Sequence, residues 1–117
     1  MPKRVLIADD NTVVRNAVRT FLTMEMDVVC EEVADGSEAV EHANQSKPDL
    51  IILDFAMPKM NGAEAAKALK HSMPKVPIVL YTVFEIPDKL VQDIGFDAVV
   101  AKSDGTDKLA ECVRRLL

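Results

Sequence analysis

The feature that most restricts what this chain can fold into is an alternation repeated five times along its length. Short apolar runs rich in β-branched residues are each followed by a longer stretch whose apolar residues recur at helical spacing. The runs are Arg4–Ala8, Val28–Val33, Leu50–Asp54, Ile78–Thr82 and Ala98–Ala101, short and nearly continuous in apolar character, as strands buried on both faces are. Between them, Val14, Ala17, Val18, Phe21 and Leu22 mark one helical face, and Leu109, Cys112, Val113 and Leu116 another. This repetition predicts an α/β fold: a doubly wound, five-stranded parallel sheet between two helical layers.

Boundary signals agree with that reading. Asp35-Gly36-Ser37-Glu38 and Asn61-Gly62-Ala63-Glu64 each place a capping side chain three residues before a Glu, and Pro87 suits the first turn of a helix. No internal repeat, low-complexity tract or linker divides the sequence, so residues 1–117, 49% hydrophobic, are expected to form one domain with one core. Right-handed crossovers wind such a chain into an open sheet whose ligands bind outside the carboxyl ends of the strands, at the topological switch point.

Composition removes several function classes. A net charge of −5 and an aromatic set of four Phe, one Tyr and no Trp leave neither a basic stripe nor stacking platforms, which argues against direct nucleic-acid binding by this chain. No apolar run approaches the roughly eighteen residues of a membrane span, and the start Met1-Pro2-Lys3-Arg4 lacks a secretory apolar region, so a cytoplasmic protein is expected. Cys30 and Cys112 sit alone among apolar neighbours and read as buried thiols, not a disulfide. His42 and His71 fall on helical segments away from the strand ends and read as exposed surface; the six Met read as core or loop filler.

The strand ends carry the chemistry. The stretch VLIADDN drives the first strand into Asp9 and Asp10; Asp54 ends the third, Thr82 the fourth, and Lys102 follows the fifth. Two carboxylates about 4 Å apart repel by about 4 kcal/mol at an effective dielectric constant near 20, so a cation or a retained proton must compensate. With strand order 2-1-3-4-5 the first and third strands are neighbours at the switch point, and three carboxylates converge there with a hydroxyl and an ammonium at the border. Hard oxygen donors with room for water suit Mg²⁺, which often bridges one or two protein carboxylates to a phosphoryl oxygen.

These motifs, in this order, resemble the response-regulator receiver domains of bacterial two-component signalling across essentially the full chain. IADDN is similar to the family's acidic pair, LIILDFAMPKMNG (residues 50–62) to its phosphoacceptor strand and following D-x-x-M-P-x-M-[DN]-G loop, IVLYT to its Thr/Ser strand end, and VVAKS to its lysine. The resemblance implies a flavodoxin-like (βα)5 fold and a signalling receiver, not an enzyme, that takes a phosphoryl group onto Asp54 from a histidine kinase or phosphotransfer protein. It assigns Asp9, Asp10, Asp54 and the backbone carbonyl of Ala56 to Mg²⁺, Thr82 to a hydrogen bond with the phosphoryl group, and Lys102 to pairing with it. Met57-Pro58 fixes the loop's path, and Gly62 allows a close approach before the next helix.

Two positions, Val99 and Ser103, depart from the family pattern. Val99 stands where many relatives carry a Tyr or Phe, which puts the Thr–aromatic switch in question. Ser103 follows Lys102 where many have a cis-proline, and the isomer of that peptide is open. Phe84, two residues past Thr82, reads either as core filler or as a shield over the site, whereas Tyr81 reads as strand packing against a helix.

Rival functions fit less well. A nucleotide binder of this architecture needs a Gly/Ser/Thr-rich loop after the first strand, where Asp9-Asp10-Asn11 would repel phosphate. An aspartyl phosphatase or mutase usually needs a second Asp two residues past the nucleophile, where this chain has Ala56. The alternative kept is a receiver-like interaction module independent of phosphorylation. By resemblance, the readout surface is the fourth helix, fifth strand and fifth helix, or the first and fifth helices, open to a partner or a second copy. The segment AKSDGTDKLAECVRRLL resembles receivers that precede a helix-turn-helix effector, so both a stand-alone receiver and part of a longer regulator are expected forms.

Overall fold

The computed structural model describes residues 1–117. In chain order the elements are β1 (Lys3–Ala8), α1 (Thr12–Glu25), β2 (Val28–Val33), α2 (Gly36–Ser46), β3 (Leu50–Leu53), α3 (Gly62–Ser72), β4 (Ile78–Thr82), α4 (Asp88–Ile94), β5 (Ala98–Ala101) and α5 (Gly105–Leu116), with a 3₁₀ turn at Lys102–Asp104 before α5. All strands pair in parallel in the order β2-β1-β3-β4-β5, as the alternation predicts. β1 begins one residue before the expected boundary and β3 stops at Leu53, leaving Asp54 just beyond the ladder.

Period-two alternation sorts the strand residues into two cores. Leu6, Ala8, Ile51, Leu53, Ile78 and Leu80 face α2, α3 and α4, where Ala39, Ala65, Leu69 and Ile94 close one layer. Val5, Ile7, Leu50, Ile52, Val79 and Tyr81 face α1 and α5, against Val18, Leu22, Leu109 and Val113. Both faces of the central strands are thus covered, which is why their sequences read as unbroken apolar runs.

Capping explains where the helices start. Asn11 Oδ1 accepts the Val13 and Val14 N–H groups at the head of α1, and Asp35 Oδ1 accepts that of Glu38 in α2. The reciprocal capping box forms only at α3, where Asn61 and Glu64 bond each other's backbone N–H. Pro87 is the N-cap of α4, one residue outside the first turn expected for it.

Some local expectations are corrected. Ala17 is exposed on α1, because it sits about 100° around the helix from buried Val18. Met24 is likewise exposed and is not filler. His42 is half-buried, its Nε2 lying 3.3 Å from Glu31 Oε1, whereas His71 is exposed. Both cysteines are free, and no peptide bond is cis, Lys102–Ser103 included. No helix is long and apolar enough to cross a membrane.

Candidate functional site

The central strands deliver two carboxylates to one place. The ladder runs one residue past each strand: the Asp9 N–H donates to the Val33 carbonyl at 3.2 Å, and the Asp54 N–H to the Ala8 carbonyl at 2.9 Å. Asp9 and Asp54 are therefore fixed by backbone pairing and are both buried, while Asp10 is exposed. Carboxylate oxygens from Asp9, Asp10 and Asp54 lie within 4.8 Å of one another.

Lys102, at the exit of β5, reaches into this cluster. Its Nζ is 2.7 Å from Asp9 Oδ2 and 3.3 Å from Asp54 Oδ2, and it lies 6.0 Å from the centre of the Tyr81 ring, a cation–π contact. The remaining oxygens are partly occupied: Asp9 Oδ1 accepts the Asn11 N–H, and Asp54 Oδ1 that of Phe55. Burial pushes the Asp54 carboxyl above its ordinary pKa, the negative Asp9 adds to this, and Lys102 offsets only part of it. Burial alone would lower the Lys102 pKa, but its hydrogen bond to Asp9 and attraction to both carboxylates hold it above the usual value.

A hard divalent cation fits these residues. The donor set is all oxygen, Asp10 makes no hydrogen bond, and the carbonyl of exposed Ala56 accepts none, so both are free to take a ligand. One lysine does not neutralise three carboxylates, and the Asp54 carboxyl, its pKa raised first by burial and then by the negative Asp9, is only partly compensated by Lys102.

Thr82 is fully buried at the end of β4. Its Oγ1 accepts the Phe84 N–H at 3.3 Å, and it bonds neither Asp54 nor Lys102. Phe84 is 52% exposed and not core filler; its ring meets that of Phe55 edge-on, with centroids 6.2 Å apart. Val99 is also exposed, and with Phe84, Ile86 and Pro87 it lines the largest groove, about 610 Å³, which holds none of the acidic cluster. Tyr81 packs between the sheet and the α1–α5 layer, as its place in the strand predicts.

The loop after Asp54 is tightly drawn. The Gly62 N–H donates to the Phe55 carbonyl at 2.7 Å, and a β-carbon at Gly62 would lie 2.9 Å from the Phe55 Cα and 3.1 Å from the Asp54 carbonyl carbon. Only glycine allows that approach.

Sequence reasoning missed Arg15. Its Nη1 donates to the Asp9 carbonyl at 2.6 Å and its Nε to Glu32 Oε1 at 3.1 Å, tying the acidic turn to β2. The available signal was a charged residue beside the apolar stripe of α1, one position after Val14.

Fold and site together define a doubly wound α/β domain with a lysine-bridged carboxylate cluster at its switch point, the architecture of a signalling receiver domain. The family comparison agrees: residues 5–114 match the response regulator receiver domain, and the chain belongs to that family, the receiver domains of two-component systems. The response regulator protein VraR of Staphylococcus aureus is 35% identical over 119 residues, covering 98% of this chain and 56% of that protein. The chain thus spans about half the length of the curated relatives it matches. Among solved structures, chemotaxis protein CheY4 of Vibrio cholerae superposes with a TM-score of 0.89 at 28% identity over all of both chains. A CheY-like receiver domain protein from Methanospirillum hungatei gives a TM-score of 0.92 at 22% identity over 98% of this chain and 93% of that one, which speaks to the fold.

Proposed function

We propose that residues 1–117 act as one receiver domain that accepts a phosphoryl group on Asp54 from the phosphohistidine of a histidine kinase or phosphotransfer protein. The observation that carries this reading is the position of Lys102 Nζ, 3.3 Å from a buried Asp54 carboxylate that lies with Asp9 and Asp10 in one cluster. Mg²⁺, held by Asp9, Asp10, Asp54 and the Ala56 carbonyl, would supply the positive charge that a loose phosphoryl transition state requires.

An Asp54 carboxylate oxygen forms the new O–P bond while the donor's N–P bond breaks, and the histidine nitrogen keeps the electron pair and takes a proton. Lys102 holds the flanking charge in place before the donor arrives, so little reorganisation accompanies transfer. Phosphorylating Asp54 frees the lysine to pair with phosphoryl oxygens.

Thr82, whose Oγ1 now accepts the Phe84 N–H, still has its hydroxyl proton to donate to the phosphoryl group as the loop moves inward. The loop Val83–Pro87 is the moving part, and phosphorylation shifts the population between its arrangements. With Val99 in place of an aromatic, Phe84 is the ring nearest to this movement along the chain. Output passes to a partner, a second copy or an effector domain, and a cytoplasmic setting goes with this reading.

Intact mass after incubation with acetyl phosphate and Mg²⁺ tests it. One added phosphoryl group is expected, absent in Asp54→Asn and absent without Mg²⁺. No modification of the folded protein would overturn the reading in favour of a phosphorylation-independent module.

A further inference from the structure

The loop after Asp54 contains a strained turn. The Met60 N–H donates to the Pro58 carbonyl at 2.7 Å, closing a three-residue turn around Lys59, whose φ is 68°. A three-residue turn with a side-chain-bearing residue at positive φ is rare, and it persists only where neighbouring structure holds it.

The neighbour is the turn between β2 and α2. A β-carbon on Gly36 would lie 2.7 Å from the Met60 carbonyl carbon, 2.9 Å from the Met60 Cβ and closer still to the carbonyl oxygen. Gly36 is not among the glycines at positive φ, so its missing side chain serves space and not torsion. Beside it, Asp35 Oδ2 lies 3.7 Å from Lys59 Nζ, while Asp35 Oδ1 is fixed as the cap of α2 by the Glu38 N–H at 2.8 Å. The same loop is pinned at its far end by the Gly62 N–H bond to the Phe55 carbonyl.

We propose that Gly36 is a positioning residue for the acceptor loop. It backs the Met60 peptide, and through that peptide it keeps the Lys59 turn and the Ala56 carbonyl in register with Asp54. This rests on the phosphoacceptor reading above. Any side chain at position 36 must push the Met60 peptide away, because the obstructing atoms are backbone and cannot swing aside. The displacement passes along four residues to Ala56, whose carbonyl is the loop's contribution to the metal.

Gly36→Ala tests this against Ala43→Gly, which weakens the same helix at a buried position further along it. Mg²⁺ affinity, from a titration followed by amide chemical shifts, should fall about tenfold in Gly36→Ala, the usual effect of disturbing a group that orients a metal ligand. Phosphorylation by acetyl phosphate should slow with it. Ala43→Gly should lower the melting temperature yet bind Mg²⁺ as the unaltered protein does. Unchanged affinity in folded Gly36→Ala, or an equal loss in both variants, would overturn the proposal.

Should Gly36→Ala not fold, the unaltered protein decides. Mg²⁺ should shift the Gly36 and Ser37 amides together with that of Met60, and an unmoved pair at 36 and 37 would overturn the coupling. An unaltered protein that neither binds Mg²⁺ nor takes a phosphoryl group would instead overturn the phosphoacceptor reading, and this proposal with it.

Discussion

Lys102 Nζ and Asp9 Oδ2 meet at 2.7 Å across 93 positions of sequence, closer than the lysine comes to Asp54. In the metal-free protein the lysine therefore serves first as counter-ion to the acidic turn. Lys102→Met should lower metal-free stability by about 1–2 kcal/mol, less than the roughly 3–5 kcal/mol for breaking a fully buried pair, because Asp54 can retain a proton in response. The raised pKa of Lys102 means this contribution is fully present below the lysine's ordinary value and is lost only as pH rises through the folded value, so it persists at neutrality. Urea unfolding at neutral pH checks this, and added Mg²⁺ should shrink the deficit.

Although Lys102 lies 3.3 Å away, burial leaves the Asp54 carboxyl behaving in the opposite sense to most ion-paired carboxylates. Its folded pKa lies above the ordinary 3.8, so the folded state holds this proton more tightly than the unfolded chain does. Its contribution to stability falls as pH rises from that ordinary value through the folded one, and stays low above it. Asp54→Asn should therefore stabilise the metal-free protein by on the order of 1 kcal/mol at neutral pH, a gain set against function. The melting-temperature difference between the two proteins, followed from about pH 4 to neutrality, should widen with pH.

Phe84 and Phe55 bridge the loops that follow β4 and β3 through an edge-on contact. We expect that pair to shield an acyl phosphate from water. Phe84→Ala should shorten the lifetime of phosphorylated protein several-fold with little change in melting temperature, since the ring is half exposed. Decay of the phosphorylated mass after removal of the donor measures it, and an unchanged lifetime would retire the shield.

Lys59 occupies the left-handed region with a full side chain. Lys59→Gly should relieve that strain and stabilise the protein by about 1 kcal/mol. The lost contact with Asp35 should subtract little, because the lysine is 71% exposed. The midpoint of urea unfolding, at unchanged slope, is the measure.

The helical layers show how far periodicity reaches. Val18 and Leu22 are buried at their predicted spacing, as are Leu109, Cys112 and Val113, whereas Ala17, apolar and within the same pattern, faces water. A small residue at the edge of an apolar stripe is compatible with either side of a helix, and packing against α5 decided it. Phe84 reads from sequence first as core filler and second as a shield over the site, and only its half-exposed ring against Phe55 removes the filler reading.

By itself the sequence determined the strands, their parallel winding and the residue types gathered at the strand ends. Those properties follow from local periods of two and 3.6 and from adjacency along the chain. Only the tertiary structure decided that Lys102 bonds Asp9 before Asp54, that Arg15 ties down the Asp9 carbonyl, and that Gly36 abuts Met60. Each of these joins groups whose separation is set by sheet order and loop path. A pattern of apolar residues carries the direction in which a side chain points, but not the distance to whatever it will meet there.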